Sequence, residues 1–181
     1  MPGNDNPHAL RLTEAIRSRI GEAEADGFAQ AHPLSKSAKP DRKSAWACEV
    51  CEDAALRFGT DAAVSIRRAC RCSDGRTMAQ QILRCLRKTT TPDAACALFT
   101  QENPCAFLEY ISDDELIFGY RACVCSCVKR AEGPVPLLWC ECSAGYAEAM
   151  FRRIFGEDVQ VELLGSIAAG CTRCEMRVRI T

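Results

Sequence analysis

The sequence predicts an α+β fold, with N-terminal helices packed on a C-terminal antiparallel sheet of β-β-α-β-β order. Three observations predict it. Apolar residues recur at helical spacing through the first two thirds, as in Met78, Ile82, Leu83 and Leu86. In the last third they alternate instead, as in Val159, Val161 and Leu163. Glycine and proline fall between the periodic runs, at Gly59, Gly133-Pro134, Gly156 and Gly170.

Taken in order, Leu10, Leu12, Ile16 and Ile20 start an amphipathic helix. Residues Gln30 to Ser44 are rich in Ser, Lys, Pro and Ala and read as a polar linker. This sets residues 1–45 apart from a single α+β domain at 46–181, helical over 46–116 and sheet-forming over 117–181. A helix is expected from Trp46 to Phe58, stopped by Gly59. Thr60 or Asp61 can cap the next, which ends near Cys70 to Gly75. Thr91-Pro92 and Asn103-Pro104 each match an N-cap followed by proline at the first helical position. Arg121 to Val128 and Val135 to Cys142 read as two strands of a hairpin turning at Gly133-Pro134. Ser143 caps a helix bearing Tyr146, Met150, Phe151, Ile154 and Phe155 on one face. A strand at Val159 to Leu163 follows. In the last strand Cys174, Met176, Val178 and Ile180 face one way, and Glu175, Arg177 and Arg179 the other.

Composition narrows the function. The formal net charge of −1 predicts no pull toward nucleic acid or anionic membranes. No apolar run is long enough to span a bilayer, and the opening Met1 to Pro7 is polar, without a signal pattern. A cytoplasmic location is expected, and a reducing cytosol favours metal binding or reactive thiols over a disulfide framework.

Cysteine is the residue that carries chemistry here. Eleven of the fourteen cysteines fall into tight clusters: Cys48-x2-Cys51, Cys70-x-Cys72, Cys123-x-Cys125-x-Cys127, Cys140-x-Cys142 and Cys171-x2-Cys174. On the expected hairpin, Cys123 and Cys125 share a face, as do Cys140 and Cys142, and opposed β-carbons would lie about 4.5–5.5 Å apart. That suits a four-thiolate metal site with Zn–S bonds of about 2.3 Å, to which Cys70 and Cys72 can add thiolates. Zinc is the expected metal, with iron or an iron–sulfur cluster as alternatives. Redox-active thiols without metal, and reduced cysteines packed as small apolar side chains, remain open. Cys142 directly precedes the expected Ser143 helix, whose N-terminus would favour its thiolate, so it is the candidate reactive cysteine. Trp139, Tyr146 and Met150 are candidate pocket residues. His8 and His32 lie in polar surroundings and are expected to be exposed, which removes a Cys-His dyad. The chain has no HExxH, GxSxG, Walker A or GxGxxG motif.

The stretches Trp139 to Tyr146, Phe155 to Glu162, Ser166 to Gly170 and Cys174 to Val178 together resemble the ending of a known group. They are similar to 4-vinyl-reductase-type sensor domains and the related 2-amino-thiazoline-4-carboxylate hydrolase-like proteins, in a cysteine-rich subgroup. The resemblance covers residues 117 to 180. It implies a domain with a pocket for a small apolar or aromatic ligand, and in some members a structural zinc. Cys140 or Cys142 and Cys174 occupy such zinc positions, whereas Leu163, Gly165 and Ser166 stand where further ligands would be. Cys123 and Cys125 are the thiols available to replace them.

The expected function is thus a cytosolic small-molecule-binding or sensor-type domain with a cysteine-thiolate metal site, with a homodimer allowed. A hydrolase acting on a small heterocycle and a metal-free redox-responsive protein are the alternatives.

Overall fold

A computed structural model describes residues 4–181, and the reading of the polar opening rests in part on Met1 to Gly3, which lie outside the described residues. The chain divides into two compact units. One comprises residues up to Arg71 with Cys125–Cys142 and Ala168–Gly170, the other Cys72–Val124, Ser143–Ile167 and Cys171–Thr181.

The first unit is helical. Its helices are α1 (Pro7–Arg19), α2 (Glu22–Ala31), α3 (Pro40–Phe58) and α4 (Thr60–Ala69). Asn6 caps α1, accepting the His8 N–H, and Pro7 opens the first turn where its missing N–H costs nothing. Gly59, at φ +81°, both stops α3 and leads into α4, a conformation that favours glycine. Phe28, Leu34, Trp46, Val50, Ile66 and Trp139 fill the core. The polar linker is shorter than its composition suggests. Helix α2 runs on to Ala31, into the start of that stretch, and α3 begins at Pro40, six residues before Trp46. Proline at N1 and Asp41 in the first turn suit a helix start.

The second unit holds α5 (Arg76–Lys88), α6 (Pro92–Glu102) and a four-stranded antiparallel sheet. Its strands are β1 (Ala106–Ser112), β2 (Glu115–Tyr120), β3 (Val159–Gly165) and β4 (Cys174–Ile180), in spatial order β1-β2-β4-β3. Helix α7 (Glu141–Phe155) separates β2 from β3 in the chain, so the expected β-β-α-β-β order is present. Ile82, Phe99, Phe118, Met150, Phe151 and Met176 form the core of this unit. On β4, Met176 and Val178 are buried while Arg177 and Arg179 pair with Glu115 and Glu162, as alternation requires. At Gly119 an added β-carbon would lie 2.0 Å from the Cys174 carbonyl oxygen, so only glycine lets β2 and β4 pair there.

The first two strands are not where the cysteine alternation placed them. Arg121 to Val128 and Val135 to Cys142 form no hairpin. The N–H groups of Val128 and Lys129 both bond to the Cys125 carbonyl, closing a turn. Pro134 and Pro136 lack ladder donors, and Leu137–Cys140 is a 3-10 turn running into α7. The strands form earlier, where Phe107, Leu108, Tyr110, Leu116, Ile117 and Phe118 supply aromatic and branched side chains. Asp113 and Asp114 stand at that hairpin's tip. Asn103 is not a helix N-cap: it ends α6, and its side chain accepts the N–H groups of Cys105 and Ala106 to launch β1. Ser143 lies inside α7, which starts two residues earlier at Glu141.

Among the described residues no helix is long and apolar enough to cross a membrane.

Candidate functional site

Helix α4 buries Ala63, Ile66 and Arg67, with Cys70 next along the same stripe. The spacing i, i+3, i+4, i+7 is that of a core-facing helix, so α4 carries a guanidinium into the interior of the first unit. Arg67 is 2% exposed. One of its terminal nitrogens donates to the Trp139 carbonyl at 2.6 Å, and the guanidinium carbon sits 3.8 Å from the centre of the Trp139 ring. Its Nε–H has no hydrogen-bond partner. A desolvated cation over an indole face gains about 2 kcal/mol, well short of what removing a charge from water costs.

Arg67 makes no ion pair with a carboxylate among the described residues. The groups whose negative charge would reach it are thiols. Burial works against its charge, but Cys142, Cys70, Cys51 and Cys125, in that order of strength, more than offset this and hold Arg67 above its ordinary pKa. These thiols come from α3, the end of α4, the 125–128 turn and the first turn of α7.

Their surroundings differ. Cys51 is buried, and burial pushes its thiol up to about 12 despite the pull of Arg67. Cys127 is likewise buried and pushed up to about 12 by burial, with Cys125 adding to it. Burial also raises Cys70, whose S–H donates to the Ile66 carbonyl at 3.3 Å and faces that of Arg11 at 3.7 Å. These three are protonated, apolar-packed thiols at neutral pH. Cys125 and Cys142 are half-buried, reachable by small solutes. Cys142 sits in the first turn of α7.

Of the cysteines singled out by sequence, Cys70, Cys125, Cys140 and Cys142 lie in the first unit. Cys72 and Cys123 belong to the second unit, Cys72 exposed and Cys123 half-buried. Trp139 is fully buried, edge-on to Trp46 at 5.7 Å. Tyr146 and Met150 belong to the second unit; Tyr146 is half-buried, and Met150 is fully buried against Gly75. An apolar recess of about 100 Å³ in that unit is lined instead by Ile82, Leu86, Leu108, Leu116 and Phe155. Arg67 and Cys51 were missed as members of one site. The available signal was a basic residue on the buried stripe of α4.

The histidines are not solvent-exposed as expected. His32 is half-buried and pairs with Asp53 at 2.6 Å. His8 is pushed down to about 4, first by burial and then by Arg11, Arg67 and Lys43. Arg11 donates to His8 Nδ1 at 3.2 Å, so Nε2 carries the proton and donates to Ser126 Oγ at 3.1 Å. In that tautomer His8 cannot take a proton from Ser126.

Among the described residues no group of three or more Cys, His, Asp and Glu side chains is placed to hold a metal ion. Cys70 is a hydrogen-bond donor to backbone rather than a thiolate, and a fixed cation stands among the sulfurs.

Residues 10–181 match the family model described as "Family of unknown function (DUF6144)". No curated protein matches the sequence. Among solved structures, the NMR structure of an H-NOX domain from Shewanella oneidensis in the Fe(II)CO ligation state is similar at 13% identity. The match covers 100% of this chain and 99% of that chain, with a TM-score of 0.49. The crystal structure of an H-NOX protein from S. oneidensis in the Fe(II)NO ligation state is similar at 10% identity. It covers 97% of this chain and 99% of that chain, also with a TM-score of 0.49. The matched family model is a different one from the 4-vinyl-reductase-type and hydrolase-like groups that the last third resembles.

Proposed function

The chain belongs to that family of unknown function, and from its own side chains we propose a thiol-based sensor module whose responsive group is Cys142, held as a thiolate against the buried guanidinium of Arg67. One observation carries the reading: a fully buried arginine that makes no ion pair with a carboxylate among the described residues and is surrounded by thiols, of which only Cys142 and Cys125 are not among those that burial keeps protonated. A guanidinium does not deprotonate in a protein, so its burial requires a counter-charge. Cys142 is its strongest charge partner, is half-buried, and lies in a helix's first turn, where the backbone favours an anion.

A low-polarity thiolate beside a fixed cation is a nucleophile toward soft two-electron oxidants such as hydroperoxides. Cys142 sulfur attacks the peroxide oxygen, the O–O bond breaks, and water or an alcohol leaves with a proton from solvent. The sulfenic acid so formed then accepts attack from the Cys51 sulfur. Cys51 is taken as the resolving thiol because it lies in the same unit and its charge and that of Cys142 bear on each other. The S–O bond breaks and a second water leaves, so two thiols and one peroxide become one disulfide and two oxygen-containing leaving molecules. Either step removes the negative charge opposite Arg67. Leaving a buried charge uncompensated costs about 3–5 kcal/mol, a large share of a domain's total of about 5–15 kcal/mol. That loss is the signal the module would transmit, as loosening of the first unit.

The test is alkylation by iodoacetamide between pH 5 and pH 9, read per cysteine by mass spectrometry. Cys142 is expected to react first and at a pH where ordinary thiols, titrating near about 8.5, do not. Arg67→Met is expected to abolish that advantage. If Cys142 reacts no faster than Cys105 or Cys72, or is unchanged by Arg67→Met, the reading fails. Elemental analysis of the same anaerobic preparation is the second arm. Tightly held zinc or iron, with Cys142 protected from alkylation, would replace the thiolate reading with the metal-thiolate one.

A further inference from the structure

The Cys171-x2-Cys174 pair takes no part in the Arg67 cluster and lies wholly in the second unit. Cys174 opens β4 opposite Tyr120 of β2. It is half-buried, and its sulfur accepts the backbone N–H of Ile167 at 3.4 Å. An N–H aimed at sulfur favours negative charge there. Cys171 is exposed, and its own N–H bonds to the Ser166 carbonyl at 3.0 Å, which ties down the turn. Its sulfur lies 2.9 Å from where a β-carbon on Gly165 would sit, so it rests on bare backbone at the end of β3. The charges of Cys123 and Cys171 both act on Cys174. Burial, the largest influence, raises the Cys174 thiol, which suits a thiol that attacks second rather than first.

We propose that Cys171 and Cys174 form a thiol–disulfide exchange site for low-molecular-weight disulfides, with Cys171 as the entry thiol and Cys174 as the closing thiol. The Cys171 thiolate attacks one sulfur of the disulfide RSSR. A protein–S–S–R bond forms, the RS–SR bond breaks, and RS⁻ leaves to take up a proton. Cys174 gives its proton to solvent and attacks the Cys171 sulfur, expelling the second RS⁻. Two protein thiols are oxidised to one disulfide and RSSR is reduced to two RSH, so electrons balance with no other reactant. Gly165 positions Cys171. Its φ is not in the left-handed region, so alanine fits the backbone there, but the added methyl displaces the flexible sulfur.

The experiment treats the full chain with oxidised glutathione and maps disulfides without reduction. Trypsin cuts after Arg173, so Cys171 and Cys174 fall on separate peptides that stay joined only by their disulfide. The wild type is expected to give that joined pair. Cys174→Ser is expected to stop at a glutathione adduct on Cys171. In Gly165→Ala, which keeps every thiol, closure is expected to slow by on the order of tenfold to hundredfold, and the Cys171 adduct to accumulate. A stable wild-type adduct on Cys171 beside unreacted Cys174, an unmodified Cys171, or a Cys123–Cys174 link in place of the joined pair would each overturn the assignment. Cys142 is read on a different peptide, so this result is independent of the Arg67 site.

Discussion

If Arg67 is balanced by a Cys142 thiolate, the two side chains must be energetically coupled, and the sign of the coupling is distinctive. Cys142→Ala removes the strongest counter-charge of a residue that is 2% exposed. The stranded guanidinium should cost about 3–5 kcal/mol. Arg67→Met removes the charge itself. It loses a charge-assisted bond to the Trp139 carbonyl, about 1.5–3 kcal/mol, and a stacking contribution of about 2 kcal/mol, and regains part of this through the apolar methionine. Cys142 can then simply bind a proton, because a thiol without its cation is neutral at pH 7. In the Arg67→Met background, Cys142→Ala should therefore cost no more than about 1 kcal/mol, the price of trimming a half-buried sulfur. The coupling is then about 2–4 kcal/mol, against an error of about 0.5 kcal/mol for independent sites. Urea unfolding of the wild type, both single variants and the double variant, at pH 7 under reductant, measures it. Equal costs of Cys142→Ala in the two backgrounds would refute the charge-pair argument, whatever the individual values.

His8 titrates in the folded chain at about 4 against an ordinary 6.5. The unfolded chain thus binds the proton first, so its contribution is complete above pH 6.5 and is lost as pH falls toward 4. After allowance for screening of a half-buried ring this amounts to about 2 kcal/mol. His8→Gln should flatten the melting temperature between pH 6.5 and 4, and an unchanged slope would count against it. Cys51 runs the other way: burial raises its thiol from 9.0 to about 12. Stability is complete below pH 9 and is lost as the unfolded chain ionises above it, so Cys51→Ala should weaken the alkaline loss seen by circular dichroism. Gly119→Ala forces a methyl into the Cys174 carbonyl oxygen and the Phe107 ring. It should cost at least about 3 kcal/mol, and a wild-type melting curve would contradict the β2–β4 packing.

Much of the second unit is legible in the sequence. The facing of β4 follows from the alternation of Cys174, Met176, Val178 and Ile180, because a strand's side-chain period leaves no other choice once one face is apolar. The start of α6 follows from Thr91-Pro92, and the stop of α3 from Gly59. The cysteine-rich stretch from Cys123 to Cys142 misleads for a physical reason. A thiol is small and carries little β preference, so alternating cysteines satisfy a turn as well as a strand. The prolines beside Gly133 and Val135 decide the matter through the donors they lack. The same local rules show that α4 buries a stripe containing Arg67. They cannot show what surrounds it. Its neighbours Cys51, Cys125, Trp139 and Cys142 are brought from three other parts of the chain. The charge balance of a buried guanidinium is a property of that assembled environment. Sequence alone determined the starts and stops of several helices, the faces of β3 and β4 and the abundance of thiols, and the tertiary structure decided where the first two strands form and which thiols surround the buried cation.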